Sequence, residues 1–399
     1  MSQFFRGGIK LWLILLGLTS LFACTSHSPP SSLAGLVTQA EPAQLGTGAA
    51  LAADGNLHIV VREGEHLALY SSPDLGANWN APTRINAEPE AISANGENRP
   101  KVALAKDGGL LVSWTHPLAK RFTGEIRLAR SGDGRTFNEP FTVHRDRSEI
   151  THRFDSLLVT KSGDVLLVWI DKRDMEIAHA AGEEYRGAGI YAAVSTDHGR
   201  SFAPEFKLAD HACECCRIAF EEDVDGSALV LWRHVFEPNE RDHALLRLDP
   251  AQVPGPVQRA TFDRWAIDAC PHHGPGLAVA DDGTRHSVWF NVREGEPQVF
   301  YGHLQSGEPE GQRSVGGSRA AHADVAVRGD LVTLVWNEFD GERTHLYTQT
   351  SSDGGKTFES VQSLSSTSGR VDQPRLAQQG DKLLVVWHTE LAGVEVYSL

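Results

Sequence analysis

The densest chemistry in this chain lies in two short segments. Three cysteines fall within His211-Ala212-Cys213-Glu214-Cys215-Cys216-Arg217, and a fourth opens Cys270-Pro271-His272-His273-Gly274-Pro275. Two readings are open. In an oxidising compartment such thiols form disulfides, and four cysteines allow three pairings among which sequence cannot choose. A bridge between adjacent Cys215 and Cys216 would be strained. Alternatively Cys213, Cys215, Cys216, Cys270, His272 and His273 form a soft-metal site, whose thiolates and imidazoles suit copper(I) or zinc. Their spacing matches no zinc-finger pattern, and one disulfide plus two free ligands would satisfy both readings.

Other polar residues recur at comparable places along the chain: Arg99; His152, Arg153 and Asp155; Arg217; His322 and Asp324; Asp372 and Arg375. Each lies just before or at the start of a short apolar strand. Solvated loops would scatter such residue types, so their recurrence predicts a pocket for a small-molecule, metal or glycan ligand.

The elements that must position them are repeats. A very apolar strand recurs as Leu57-His58-Ile59-Val60-Val61, Leu110-Leu111-Val112-Ser113-Trp114, Val165-Leu166-Leu167-Val168-Trp169 and Ala228-Leu229-Val230-Leu231-Trp232. It returns as His286-Ser287-Val288-Trp289-Phe290, Leu331-Val332-Thr333-Leu334-Val335-Trp336 and Leu383-Leu384-Val385-Val386-Trp387. Four short strands in each unit of roughly 50 residues predict an all-β, seven-bladed β-propeller. A six-bladed form with one degenerate unit is the alternative. The last unit supplies only three strands, so an N-terminal strand, expected near Glu41-Pro42-Ala43-Gln44-Leu45, completes the last blade and removes an open edge. The inward loops then meet at the mouth of the central channel.

Thirty-eight Gly and 19 Pro fit a fold rich in turns, and 37 Lys+Arg against 52 Asp+Glu give a formal charge of −15. That balance excludes a nucleic-acid partner, which needs a basic face. The charge runs Asp171-Lys172-Arg173-Asp174 and Glu237-Pro238-Asn239-Glu240-Arg241-Asp242 follow second strands and are expected to be solvated loops.

Four units carry a turn motif between their third and fourth strands: Ser195-Thr196-Asp197-His198-Gly199-Arg200-Ser201-Phe202 and Ser351-Ser352-Asp353-Gly354-Gly355-Lys356-Thr357-Phe358 in full, with near copies at Ser72–Trp79 and Ser131–Phe137. These resemble the Asp-box (BNR) repeats of the sialidase superfamily, over nearly the whole chain after the leader. The resemblance implies a propeller whose ligand enters where inner strands meet the channel; the boxes themselves are structural. The cysteine segments further resemble a subgroup of exported bacterial sialidase-like proteins. Sialidases clamp a carboxylate with three arginines and use a Tyr nucleophile, a Glu that activates it and an Asp acid/base. Carried over, this implies Arg99, Arg217, Arg375 and Asp155, with Arg99-Pro100 lacking the residue between Arg and Pro in the family motif. Tyr185, in Glu183-Glu184-Tyr185-Arg186, is the one loop candidate for the nucleophile, because the other tyrosines after the leader recur on third strands.

The N-terminus reads as an address. Arg6 and Lys10 precede the apolar run Leu11–Leu18, too short to span a bilayer. Leu21-Phe22-Ala23-Cys24 resembles the lipobox of bacterial lipoproteins, which implies acylation of Cys24 and, with Thr25 next, the outer membrane. The expected organisation is a signal peptide at 1–23, a flexible tether at 24–35 and a propeller at 36–399. Three functions follow: a ligand- or copper-binding protein, a glycoside hydrolase, or a disulfide-locked scaffold for an envelope partner.

Overall fold

The computed structural model describes residues 31–32, 44–249, 251–269 and 271–399. The leader, Cys24 and Cys270 lie outside the described residues. Among the described residues the strands form seven separate four-stranded antiparallel sheets arranged as a seven-bladed propeller. Blade 1 is Gly48–Leu51, Leu57–Glu63, His66–Ser72 and Thr83–Arg84; blades 2 to 6 follow the same meander. Blade 7 takes Arg375–Gln379, Lys382–Thr389 and Gly393–Ser398 from the C-terminal end and Ser31–Ser32 from the other.

That N-terminal closure is as expected, but the strand differs. Ser31 pairs with Val396 and Ser32 with Glu395, inside the stretch expected to be tether. Gln44 and Leu45 are not strand. They lie against a loop that enters blade 2 instead: the Gln44 side chain accepts the Ala94 amide at 2.7 Å, and the Leu45 carbonyl accepts the Thr47 hydroxyl at 2.9 Å.

The second strands are apolar without alternation because each blade is covered on both faces by its neighbours. Val165–Asp171 is buried throughout. Trp114, Trp169, Trp232, Trp289, Trp336 and Trp387 are fully buried on the second strands of blades 2 to 7.

The Asp boxes act through local hydrogen bonds. In blade 6 the Ser351 hydroxyl donates to Asp353 at 2.7 Å, while Asp353 accepts the Lys356 and Thr357 amides at 3.0 and 2.9 Å. Gly355 sits at φ +81°, where a Cβ would come within 1.9 Å of the Tyr301 hydroxyl of blade 5. The box therefore presses its turn onto the preceding blade, and Phe358 packs into the same cluster.

Strand alternation sends the boxes to one face of the disc. The loops that enter the inner strands gather on the other.

Candidate functional site

Two inner strands are broken where they enter the channel. The register slips between Arg153 and Ser156 in blade 3 and between Ala321 and Asp324 in blade 6. Phe154 and His322 take positive φ there, 59° and 55°. Such bulges re-aim side chains. The Phe154 amide is held by Asn98 Oδ1 at 2.9 Å, and Asp155 and Asp324 both face the channel.

The channel encloses about 530 Å³ and is lined by Lys101, Asp155, Glu221, Asp324 and Arg375 among others. Asp155 accepts the Ser113 hydroxyl at 2.6 Å and lies 3.5 Å from Lys101 Nζ. Arg375 is 3.4 Å from Asp324. Burial, with Asp324 adding to it, pushes the Glu221 carboxyl up to about 7. Sequence gave no reason to single out Glu221, which sits on an inner strand beside Glu222.

A buried polar network runs across the top of this channel. Arg99 pairs with both oxygens of Asp372 at 3.1 Å each. Burial lowers its guanidinium to about 10, with Asp372 opposing. Arg217 Nη1 reaches Gln373 Oε1 at 2.7 Å and Glu97 Oε1 at 3.3 Å, and Nη2 donates to the Ala323 carbonyl at 2.8 Å. Glu97 also accepts the amides of Arg217 and Gly274 at 2.7 and 2.9 Å and the Gln373 amide group at 2.6 Å. Burial alone would raise its carboxyl, but Arg217 and then His322 hold it well below the usual range.

Glu97, Gln373 and Gly274 were not among the sequence candidates. Their signal was adjacency: Glu-Asn-Arg-Pro, Asp-Gln-Pro-Arg and His-His-Gly-Pro each place them within two residues of one that was.

The three candidate arginines thus do converge, but each already faces a carboxylate. Tyr185 stands apart, bonded to Asp210 on the outer strand of blade 3 at 2.7 Å. Among the described residues no tyrosine lines the channel or either cavity on this face.

The expected ligand residues divide. His152 is internal: its Nδ1 lies 3.0 Å from the Gly124 carbonyl and its ring stacks on His144 at 4.0 Å. His322 stacks on His273 at 4.3 Å, and His273 on Phe290 at 4.0 Å. Burial, then His322, pulls His273 down to about 3. Arg153 lines a face cavity of about 600 Å³, together with His272, His322 and Cys215.

Below that cavity lie the thiols. Cys213, Cys215 and Cys216 are buried, and their sulfurs all lie within 4.8 Å of one another. Cys213 to Cys215 is 3.8 Å and Cys215 to Cys216 is 3.9 Å. A disulfide needs about 2.05 Å, so these three are not bridged to one another. Hydrogen bonds from Cys215 and then Cys216 pull the Cys213 thiol well down against burial, with Arg233 and Arg241 assisting; burial and the Cys213 charge push Cys216 up. His272 and His273 are not members of this group.

The charge runs are solvated only in part: Glu237 and Pro238 form an exposed turn, but one end of each run is buried. Arg241 Nη1 lies 3.4 Å from Cys213 Sγ. Asp242 is fully buried and bonds Arg259, and Asp171 is fully buried and accepts the Trp169 indole at 3.0 Å. After Asp171 the chain forms the short helix Arg173–Ala180. Buried charges survive only when paired: Asp171 pairs with Arg173 of its own run, and Asp242 with Arg259 from the outer strand of blade 4.

Comparison with solved structures matches this architecture. The fold is similar to that of solved proteins named as a polysaccharide lyase, a sialidase and an arabinanase. A polysaccharide lyase of the ulvan lyase family aligns over 94% of this chain and 94% of its own, with a TM-score of 0.58 and 11% identity. A Hadza microbial sialidase aligns over 87% of this chain and 73% of its own (TM-score 0.53, 12% identity). The α-L-arabinanase of Penicillium chrysogenum, solved with arabinobiose, covers 94% and 98% (TM-score 0.52, 12% identity). No protein-family model and no curated protein matches the chain.

Proposed function

We propose that this protein binds a soft metal ion, copper(I) foremost, through Cys213, Cys215 and Cys216 at the ligand face of the propeller. One observation carries the reading: three buried sulfurs, not bridged to one another, at 3.8 Å, 3.9 Å and no more than 4.8 Å. An ion about 2.3 Å from each of three thiolates, in a plane with them, sets the sulfurs about 4 Å apart. Thiolate-only donors select copper(I) over harder ions, and zinc would ask for a fourth ligand. Arg241 beside Cys213 offsets part of the negative charge that three thiolates bring. The lipobox at Leu21–Cys24 supports a lipid anchor at Cys24 in the outer membrane, which would keep the site at the cell envelope.

The test is anaerobic titration of the full chain in detergent with copper(I) against a chromophoric chelator, followed by alkylation and intact mass. One ion per chain, shielding three thiols, is expected, with the ion lost in Cys216→Ser. Thiols that alkylate equally with and without copper(I) would overturn the reading.

A glycan ligand is the second reading. Glu221, proton-bearing near neutrality in a channel with Asp155 and Asp324, favours it, as do neighbours named as a sialidase, an arabinanase and a polysaccharide lyase. Turnover of a fluorogenic glycoside that disappears in Glu221→Gln and Arg375→Ala would support it; no turnover across sialosides and arabinosides would remove it.

A further inference from the structure

Two phenylalanines flank the face cavity in backbone conformations that bulky side chains rarely adopt. Phe122 has φ +67° and Phe154 has φ +59°, and both line the cavity with Arg153. Phe154 is buried and carries the Arg153 guanidinium over its ring, 5.0 Å from the centroid. Phe122 is 61% exposed, with the guanidinium of Arg121 4.4 Å from its centroid. A large apolar ring held out to solvent by a strained backbone costs stability, and such costs gather at ligand sites.

The other charges of the cavity are matched. Glu97 is held by Arg217, and Lys172 pairs with Glu214. Arg153 has no such partner, and its buried Nε has no hydrogen-bond acceptor among the described residues. Burial lowers its pKa, with no carboxylate contributing. A partly desolvated guanidinium without a counter-ion gains from an incoming carboxylate, which its terminal nitrogens can bind through two parallel hydrogen bonds. The channel presents mostly polar atoms to a ligand; this cavity presents mostly apolar ones, so its ligand pairs a carboxylate with an apolar body. A volume of about 600 Å³ is that of a small-molecule site.

We infer that the face cavity binds a small apolar carboxylate, an aromatic or short-chain aliphatic acid, with its carboxylate on Arg153 and its apolar body against Phe122. The site uses neither the thiol trio nor the channel carboxylates, so it stands apart from both readings above. Arg121, beside Phe122, supplies a second positive charge in a chain whose formal charge of −15 otherwise repels an anion. No covalent bond is made or broken: the acid replaces water at Arg153 and covers part of the exposed ring.

The experiment is calorimetry of the full chain in non-ionic detergent with hydrocinnamate and hexanoate, each compared with its neutral amide. The parent protein is expected to bind at least one acid, and to bind the matching amide about tenfold more weakly. Arg153→Gln should bind acid and amide alike, and Arg153→Lys, which keeps the charge without the fork, should fall between. Phe122→Ala, a change at an exposed side chain, should weaken acid and amide by the same factor. Phenylglyoxal modification of Arg153 in the parent protein, read by peptide mapping, should be slowed by the acid and not by the amide; this readout needs no variant to fold. Tighter binding of hydrocinnamate supports an aromatic ligand, and of hexanoate an aliphatic one. Three results would each overturn the inference while leaving the thiol and channel readings standing: binding of neither acid, equal affinity for acid and amide, or glucuronate bound as tightly as the better acid.

Discussion

The arginine network over the channel and the thiol trio beside it occupy neighbouring loop positions and have opposite polar balance. Around Glu97, both carboxylate oxygens and the guanidinium and amide donors that reach them are matched across loops entering blades 2, 4, 5 and 7. Around Cys213 the sulfurs face one another, with one guanidinium at 3.4 Å. A matched buried network clamps blades together; the thiols instead gather three sulfurs within 4.8 Å of one another, the arrangement on which the metal reading rests. Residue types that suggest catalysis in both places therefore differ in what surrounds them: a full set of donors at Glu97, other sulfurs and one guanidinium at Cys213.

Removing one member of a matched network should cost most. Glu97→Ala leaves the buried Arg217 guanidinium without its carboxylate and the Arg217, Gly274 and Gln373 amide donors without this acceptor, and is expected to lower stability by about 3–5 kcal/mol in urea unfolding. A loss below about 1 kcal/mol would mean the network does not clamp the blades. On the thiol side the large effect should come from metal. Copper(I) at about 100 times its Kd should stabilise the parent by about 2.7 kcal/mol and Cys216→Ser not at all, read as the shift in thermal unfolding with and without the ion.

The opposite face supplies a control. Gly355→Ala puts a methyl against the Tyr301 hydroxyl at positive φ, so about 1–3 kcal/mol of stability should be lost with metal loading unchanged. Altered loading would show that the Asp boxes communicate with the thiols.

A smaller effect is expected from pH. Burial lowers His388 to about 4, and burial with neighbouring His152 lowers His144 to about 3, both from an ordinary 6.5. The unfolded chain then binds more protons in that window, so stability is complete above pH 6.5 and falls as pH drops towards 4. Each histidine should contribute about 1 kcal/mol of loss between pH 6.5 and 5.5. His388→Gln should flatten the urea midpoint against pH over that interval; an unchanged slope would show that His388 does not titrate with folding.

Blade number, strand order and the turn chemistry of the Asp boxes were legible because each is written locally and repeated. An apolar run ending in Trp needs no distant partner to be recognised, and neither does Ser-x-Asp followed by Gly. The position of the closing strand was not legible, since two residues pairing through their backbone carry little side-chain signature and Ser31–Ser32 lies in a Ser/Pro-rich stretch.

At the site, sequence by itself determined that Cys213, Cys215 and Cys216 lie close together and that Arg99, Arg217, Asp324 and Asp372 recur at inward positions. Only the tertiary structure decided their pairing. Whether Arg99 is a free clamp or a strut depends on Asp372, 273 residues away, and Glu97 meets Arg217 across 120. The same holds for Arg241, whose run reads as a solvated loop until the fold turns it towards Cys213. Charge is a property of a residue, but a charge's partner is a property of the fold, because a propeller brings loops from every blade to one small circle.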